Sequence, residues 1–91
     1  MTKHLNILVY GDVQGVFFRR TIKHEAGRRK ISGFVENKPD GTVYIEAEAE
    51  TSIVDSFVEW IRAGADGHRV IRVESEEGSY RALDAFEIKE S

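Results

Sequence analysis

A β-hairpin with an amphipathic helix on each side is the feature that most constrains the fold of this chain. The segment 42–49 alternates almost without fault, which is the period of a strand with two unlike faces. One face carries Val43, Ile45, Ala47 and Ala49, and the other carries Thr42, Tyr44, Glu46 and Glu48. A short strand is predicted at Gly33–Asn37, and the turn residues Pro39-Asp40-Gly41 separate it from this segment. The two strands are therefore predicted to pair as a hairpin.

Helical spacing flanks the hairpin on both sides. Before it, Phe18, Ile22 and Ala26 recur every four residues and form one apolar stripe. After it, a second stripe consists of Ile53, Val54, Phe57, Val58 and Ile61. Ser52 followed by Asp55 predicts a variant capping box at the start of this second helix, and Gly64 suits the position just beyond its end.

Three further runs read as strands: His4–Tyr10, Arg69–Glu74 and Ala85–Ile88. The resulting order, β-α-β-β-α-β-β, predicts an α+β fold of the ferredoxin-like split βαβ type. We expect an antiparallel sheet with both helices on one face. A chain of 91 residues and 10.3 kDa accommodates one core, so residues 1–91 are predicted to form a single domain.

Composition removes several classes of function. No cysteine is present, which excludes disulfides and cysteine-based metal, redox or nucleophilic chemistry. The longest apolar runs fall far short of the ~20 residues that a membrane span needs, and the first residues lack the apolar core of a signal peptide. A net charge of −3 disfavours nucleic-acid binding. We therefore expect a cytoplasmic protein that binds neither membranes nor nucleic acids.

The segment Gly11–Arg19 joins the first strand to the first helix and is the best candidate for a functional site. Glycines at both ends of a tight strand-to-helix loop allow successive backbone N–H groups to turn inward and form an anion-binding cradle. Arg19 could add a planar fork of donors to the same anion. The Gly-Lys-Ser/Thr sequence of a nucleotide-binding P-loop is missing. A tight turn with a solvated arginine is the alternative interpretation of the loop alone.

The motifs of this region resemble the acylphosphatase family. They are Gly11-x-Val13-Gln14-Gly15-Val16-x-Phe18-Arg19, then Ala26, Gly33-Phe34-Val35-x-Asn37 and Asp40-Gly41-Thr42-Val43. The resemblance implies hydrolysis of carboxyl–phosphate anhydrides without a metal or cofactor. It also implies a small-molecule acyl phosphate as substrate and inorganic phosphate as product and inhibitor. A monomer is expected, since no long apolar edge or coiled-coil stripe appears.

The same resemblance assigns roles to residues. Arg19 would hold the phosphate, and Asn37 would orient the attacking water. The phosphate-binding backbone amides would be those of Gly11, Asp12, Val13, Gln14, Gly15, Val16, Phe17 and Phe18. The chemistry agrees, because a carboxylate is a good leaving group and phosphoryl transfer then depends mainly on positioning and charge stabilisation. Taken alone, Asn37 could equally be a turn residue that satisfies its own backbone before Pro39.

Four features depart from the family pattern, one of which is that the stretch Gly64–Val70 lacks the proline common after the second helix. The other three are single positions. Asp12 places a carboxylate in the anion loop, Lys38 stands where threonine is frequent, and Lys30 stands where glycine is frequent at a helix end. We expect Asp12 to point away from a bound phosphate. Lys38 could either strengthen phosphate binding or disturb the water.

Other polar and aromatic residues are weaker candidates for a site. The scattered histidines lack metal-ligand spacing, and the alternating glutamates are predicted to form a solvated face; these are His4, His24, His68, Glu46, Glu48 and Glu50. Trp60 and Tyr80 are predicted to pack. Arg20 and Lys23 could attract an anionic substrate through their field, although a solvated helix face is the simpler interpretation.

Two competing functions share this element order. An RNA-recognition-like module would expose aromatic and basic side chains on its sheet, and Ser32-Gly-Phe-Val35 partly resembles its signature. Tyr44 fits that expectation, but Glu46 and Glu48 beside it do not. A non-catalytic anion-sensing domain that keeps the loop without turnover is the second alternative.

Overall fold

A computed structural model describes residues 1–90 of the chain. The elements in chain order are β1 (Thr2–Asp12), α1 (Val16–Arg28), β2 (Ser32–Asn37), β3 (Val43–Glu50), α2 (Thr51–Arg62), β4 (Arg69–Gly78) and β5 (Phe86–Lys89). The order expected from the sequence is confirmed. The first and fourth strands are longer than the alternating runs alone indicated, because their outer ends pair without being apolar on either face.

The strands form one sheet in the order β4-β1-β3-β2-β5. β1 pairs antiparallel with β3 and β4, and β2 pairs antiparallel with β3. β5 pairs parallel with β2, so the sheet is mixed rather than wholly antiparallel as expected. The reason is the connection between β4 and β5, which crosses to the opposite edge of the sheet and enters β5 in the same direction as β2.

Both helices pack on one face of this sheet, as predicted for a ferredoxin-like α+β fold. α1 lies over β2 and β5, and α2 lies over β1, β3 and β4. The two helical stripes meet the inward residues of β1 and β3 in a single core, whose fully buried large side chains include Phe18, Ile22, Phe57, Ile61, Ile7 and Ile45. Trp60 stacks on Phe57 with ring centroids 5.9 Å apart, in agreement with a packing role.

The start of α2 differs from the expectation. β3 runs directly into the helix, so Glu50 takes the cap position without a side-chain hydrogen bond. The first backbone N–H of the helix, that of Thr51, donates to the carbonyl oxygen of Met1 at 2.8 Å instead. The predicted capping box is therefore wrong: Ser52 lies inside the helix, and the Asp55 carboxylate accepts a hydrogen bond from Lys3.

The two helices end in the same hydrogen-bonding pattern with different residues. Gly64 follows α2 at φ 113°, as predicted. After α1, Lys30 adopts φ 59°, and the N–H groups of Lys30 and Ile31 donate to the carbonyl oxygens of Gly27 and Ala26. The helix thus ends as the family pattern would have it, with a lysine in a left-handed conformation that glycine adopts at less cost.

The sheet face opposite the helices is more buried than the alternation indicated. His4, Glu46 and Glu48 are 2%, 9% and 3% exposed, because the connecting segment 79–84 lies across them. The prediction of a solvated glutamate face is therefore wrong at two of its three positions, whereas Glu50 is exposed. Tyr80, expected to pack, is 62% exposed. Among residues 1–90, no helix is long and apolar enough to cross a membrane.

Candidate functional site

Two glycines with positive φ shape the connection from β1 to α1, one near the end of β1 at Gly11 and one just before α1 at Gly15. Gly11 has φ 143° and Gly15 has φ 100°, both in the region that side chains disfavour. A Cβ on Gly11 would lie 2.2 Å from the Arg69 carbonyl oxygen, where β1 bulges against β4 between Tyr10 and Gly11. Around Gly15, by contrast, no atom of the described chain lies within 4 Å of such a Cβ. The loop therefore has open space on its outer side.

The buried and exposed residues of the loop divide cleanly. Val13 and Phe18 are 1% exposed and anchor the loop in the core, where Phe18 meets the ring of His68 edge-on at 5.0 Å. The residues between them are exposed and start α1 at Val16. The first turn of that helix contains no acidic side chain and its N-terminus has no side-chain cap hydrogen bond, so no capping side chain occupies its first N–H groups. Helix N-termini of this kind can bind anions in proteins.

The Arg19 side chain folds back over the loop that precedes it. Its Nε donates to the Gly15 carbonyl oxygen at 3.3 Å, and its terminal Nη1 donates to the Glu90 carboxylate at 3.3 Å. The Arg19 side chain is only 10% exposed, whereas that of Glu90 is 81% exposed. A guanidinium has five N–H groups, so these two hydrogen bonds leave further donors on Arg19.

The Gln14 side chain connects this loop to the β2–β3 turn. Its Nε2 donates to the carbonyl oxygen of Thr42 at 2.8 Å and to that of Lys38 at 3.4 Å. Asn37 ends β2 immediately before Lys38 and pairs with Val43 in the ladder. Gln14 thus brings the segment containing Asn37 against the loop, although the two come from different parts of the sequence.

The turn itself is stiffened by its own side chains. The Asp40 carboxylate accepts hydrogen bonds from the Thr42 hydroxyl at 2.6 Å and from the Thr42 backbone N–H at 3.0 Å. These bonds hold the pKa of Asp40 below its usual value. The Lys38 backbone N–H closes the turn by donating to the Thr42 carbonyl oxygen at 2.9 Å. The position of Asn37 therefore rests on a defined turn.

Lys38 and Asp12 are charged residues at positions that depart from the family motif. The Lys38 ammonium contacts the Glu36 carboxylate at 3.3 Å and lies 5.0 Å from the centre of the Tyr44 ring. Both partners belong to the sheet face opposite the helices, so this ammonium is directed there. Asp12 is exposed at the end of β1. Within residues 1–90, no group of three histidine or acidic side chains has the geometry to hold a metal ion.

A model of the acylphosphatase family matches residues 5–88, which is nearly the whole chain. The chain belongs to the acylphosphatase family. It is 40% identical over 79 residues to an acylphosphatase of Geobacillus thermodenitrificans, covering 87% of this chain and 84% of the relative. It is 44% identical to one of Mannheimia succiniciproducens over 87% of this chain and 86% of the relative.

Solved structures agree with this assignment. The crystal structure of an acylphosphatase from Bacillus subtilis superimposes with a TM-score of 0.89 at 37% identity, covering 98% of this chain and 99% of the other. The family, the enzyme class and the fold expected from the sequence are therefore confirmed. The roles of individual residues are not tested by these similarities and stay predictions.

Sequence reasoning placed this acylphosphatase's loop, its arginine and its asparagine in one region but missed two contacts. It assigned Gln14 a role through its backbone only, whereas the side chain spans to the β2–β3 turn. It also did not anticipate that Glu90, over 70 residues away in the chain, contacts Arg19. The Asp40-Gly-Thr42 sequence was a usable signal for the rigid turn, since both side chains favour local hydrogen bonds.

Proposed function

We propose that this acylphosphatase cleaves acyl phosphates with Gly11–Phe18 as the phosphate cradle, Arg19 as the phosphate clamp and Asn37 as the residue that orients water. The products are a carboxylate and inorganic phosphate. The observation that carries the proposal is the Arg19 guanidinium, almost buried and folded back onto Gly15 at an open helix N-terminus. A solvated surface arginine, the alternative drawn from the sequence, would not be held in this position.

The cradle would act through backbone N–H groups and the helix N-terminus. Those donors are fixed by the fold before substrate arrives, so they stabilise charge on the phosphoryl oxygens without having to reorganise. The exposed side of Gly15 leaves room for the oxygens to approach the backbone. Arg19 adds a permanent positive charge, which is needed because the phosphoryl group stays anionic throughout.

Asn37 would act on the water molecule. Its carboxamide cannot take up a proton at ordinary pH, so its contribution is to hold the water in line with the bond that breaks. The water oxygen forms a new bond to phosphorus, and the bond between phosphorus and the acyl oxygen breaks. The electron pair leaves with the carboxylate, and a phosphate oxygen takes up the water's proton. The Gln14 bridge sets the distance between cradle and water.

Kinetics of two variants test these roles against each other. Arg19→Ala should weaken phosphate binding and lower kcat together, since Arg19 would contact the phosphate in ground and transition states. Asn37→Ala should lower kcat by ~10²-fold or more, which is the scale of one well-placed polar contact. Its affinity for inorganic phosphate should change by less than about threefold, because a transition-state contact leaves ground-state binding intact. The measurements are steady-state hydrolysis of benzoyl phosphate and calorimetric titration with phosphate.

Arg62→Ala, at the exposed end of α2, is the matched control for loss of a surface arginine. Near-normal kcat in Asn37→Ala would contradict the water-orienting role. Loss of phosphate binding in that variant would place Asn37 in the cradle instead. Phosphate binding by the wild type without turnover of benzoyl phosphate would favour the anion-sensing alternative over catalysis.

A further inference from the structure

Positive charge is concentrated in one segment of this acidic chain. Residues 16–30 contain six cationic side chains and one carboxylate, a formal charge of +5. The remaining residues contain seven cationic and fifteen anionic side chains, a formal charge of −8. The two parts account for the net charge of −3. The segment is α1 together with its end, so the charge lies on the helix that begins at the phosphate cradle.

Some of these cationic side chains form ion pairs with a carboxylate. Glu25 accepts hydrogen bonds from Arg28 at 2.6 Å and from Arg29 at 2.5 Å, which lowers the pKa of Glu25 to about 2 and neutralises one positive charge. Arg19 belongs to the site. Within residues 1–90, no carboxylate forms an ion pair with Arg20, Lys23 or Lys30. These three cations therefore contribute their full field to the solvent around the helix.

Arg20 and Lys23 lie side by side on the outward face of α1. With His24, Gly27 and Arg28 they line an open groove of about 600 Å³. The rise of 1.5 Å per residue places Arg20 about 6 Å along the helix axis from Val16, where the helix begins, and Lys23 about 10 Å from it. Lys30 follows the end of the helix at Arg28, which is about 18 Å from Val16. At physiological salt, fields decay over a Debye length of about 8 Å. Arg20 and then Lys23 therefore act on an anion at the cradle, and Lys30 does not.

We propose that Arg20 and Lys23 form an entry path that favours acyl phosphates whose acyl part carries its own negative charge. The proposal deepens the function proposed above and rests on it. With the phosphate in the cradle, a carboxylate at the far end of a short acyl chain could lie along the outward face of α1. Elsewhere the surface repels such a substrate, since the rest of the chain carries −8. The preferred class is therefore the monoacyl phosphates of short dicarboxylic acids.

A graded series of charge removals tests the path. Arg20→Gln, Lys23→Gln and Lys30→Gln each remove one charge, at increasing distance from the cradle. The substrates are acetyl phosphate, with a neutral acyl part, and succinyl phosphate, with a carboxylate. At low ionic strength, Arg20→Gln should lower kcat/KM for acetyl phosphate about threefold to fivefold through KM, with kcat unchanged. Lys23→Gln should have a smaller effect, and Lys30→Gln should match the wild type.

Succinyl phosphate carries a second negative charge on its carboxylate, so we expect larger effects with this substrate. Wild-type kcat/KM should be higher for succinyl phosphate than for acetyl phosphate. In Arg20→Gln, kcat/KM for succinyl phosphate should fall about tenfold. Both differences should vanish in 0.5 M salt, because salt screens the charges. Equal values for the three variants, or no preference between substrates, would overturn the proposal and indicate a solvated helix face. Titration with inorganic phosphate separates the two proposals. If neither substrate is hydrolysed, the proposed function is wrong. A phosphate affinity that falls most in Arg20→Gln, less in Lys23→Gln and not in Lys30→Gln would still support the entry path. Equal phosphate affinities in the three variants would overturn it.

Discussion

On one face of the sheet, β1 and β3 present Ile7, Val9, Val43 and Ile45 to the helices, whereas on the other face they present His4, Glu46 and Glu48 to the segment 79–84. Both sets are less than a tenth exposed. The first set is buried by apolar contact, and the second is buried with every charge paired. The difference shows that an alternating strand predicts which side chains share a face, but it does not predict what covers that face.

The segment 79–84 is the cover, and its geometry explains why carboxylates lie beneath it. It joins β4 at one edge of the sheet to β5 at the other edge. The distance between these two strands is four strand spacings of about 4.8 Å each. Residues 79–85 lie between the two strands, form no regular secondary structure and include Ala82 at φ 54°, so their path is not that of a strand. A segment that pairs with no strand needs other acceptors for its N–H groups. Glu48 provides them, accepting from the backbone N–H groups of Arg81 and Leu83.

His4 lies between the two carboxylates that are buried beneath the segment 79–84 and forms a hydrogen bond with each of them. Its Nδ1 lies 2.7 Å from the Glu48 carboxylate, and its Nε2 lies 2.8 Å from that of Glu46. Each ring nitrogen therefore faces one carboxylate. The Arg81 guanidinium adds a cation, 3.0 Å from Glu46. The cluster thus joins two buried carboxylates to a buried imidazole ring and to a half-exposed guanidinium, so removing one buried member leaves another buried polar group without its partner.

The largest effect that we expect from either face comes from the apolar one. Phe57→Ala removes a fully buried ring from the core between α2 and the sheet. The lost transfer free energy and the cavity should reduce the free energy of unfolding by about 4 kcal/mol. Urea denaturation measures this. Ile71→Ala, at a 68% exposed position on β4, is the control and should change stability by less than about 0.5 kcal/mol.

A somewhat smaller loss is expected from the charged face. Glu48→Gln keeps the shape of the side chain but removes its charge and presents an amide to donors. This leaves His4 and two backbone N–H groups without a full partner and should cost about 3 kcal/mol. Glu50→Gln, on the same strand and exposed, should cost nothing measurable. If Glu48→Gln were as stable as the Glu50 variant, the cover would be held by something other than this cluster.

The smallest expected effect is the pH dependence that distinguishes the faces. Burial raises the pKa of Glu48 and of Glu46, but hydrogen bonds from the cover, from His4 and from Tyr44 outweigh burial, so both pKa values lie below the usual carboxyl value. A carboxyl group with a lowered pKa stabilises the fold above its unfolded value of about 4.5. That stability is lost as the pH falls through the folded value.

Denaturation between pH 7 and pH 2 therefore should show a loss of stability below about pH 4.5 in the wild type. The slope should be shallower in Glu48→Gln, which no longer titrates there. Phe57→Ala should keep the wild-type slope at a lower overall stability, since an apolar side chain binds no proton. A slope that is equal in wild type and Glu48→Gln would mean that other carboxyl groups, such as Glu25, account for the acid sensitivity.

The contrast between the apolar and the charged face of the sheet explains which parts of the fold the sequence predicted. Periodicity predicted every helix and strand that contributes to the apolar core, since apolar spacing is what a core needs. It did not predict the parallel pairing of β5, because the segment 79–84 that determines it has no periodicity. It also did not predict the burial of Glu46 and Glu48, since their partners are backbone N–H groups of that segment and the distant His4.

For the candidate site, the sequence predicted what lies within one continuous segment. The loop, its glycines and Arg19 are local, and motif spacing predicted where they would be. The bridge from Gln14 to the β2–β3 turn and the contact of Arg19 with Glu90 join residues far apart in the chain. Such contacts depend on the order of strands in the sheet, which pairwise spacing does not encode.

The sheet has two open edges, and they differ in how they would meet another extended chain. β5 spans only four residues, too few to template a long partner strand. β4 spans ten residues, and five of these carry a formal charge: Arg69, Arg72, Glu74, Glu76 and Glu77. Charged side chains on an edge strand hinder the addition of a further strand, because they would be desolvated on contact. Short length at one edge and charge at the other thus obstruct the edge-to-edge association that begins aggregation.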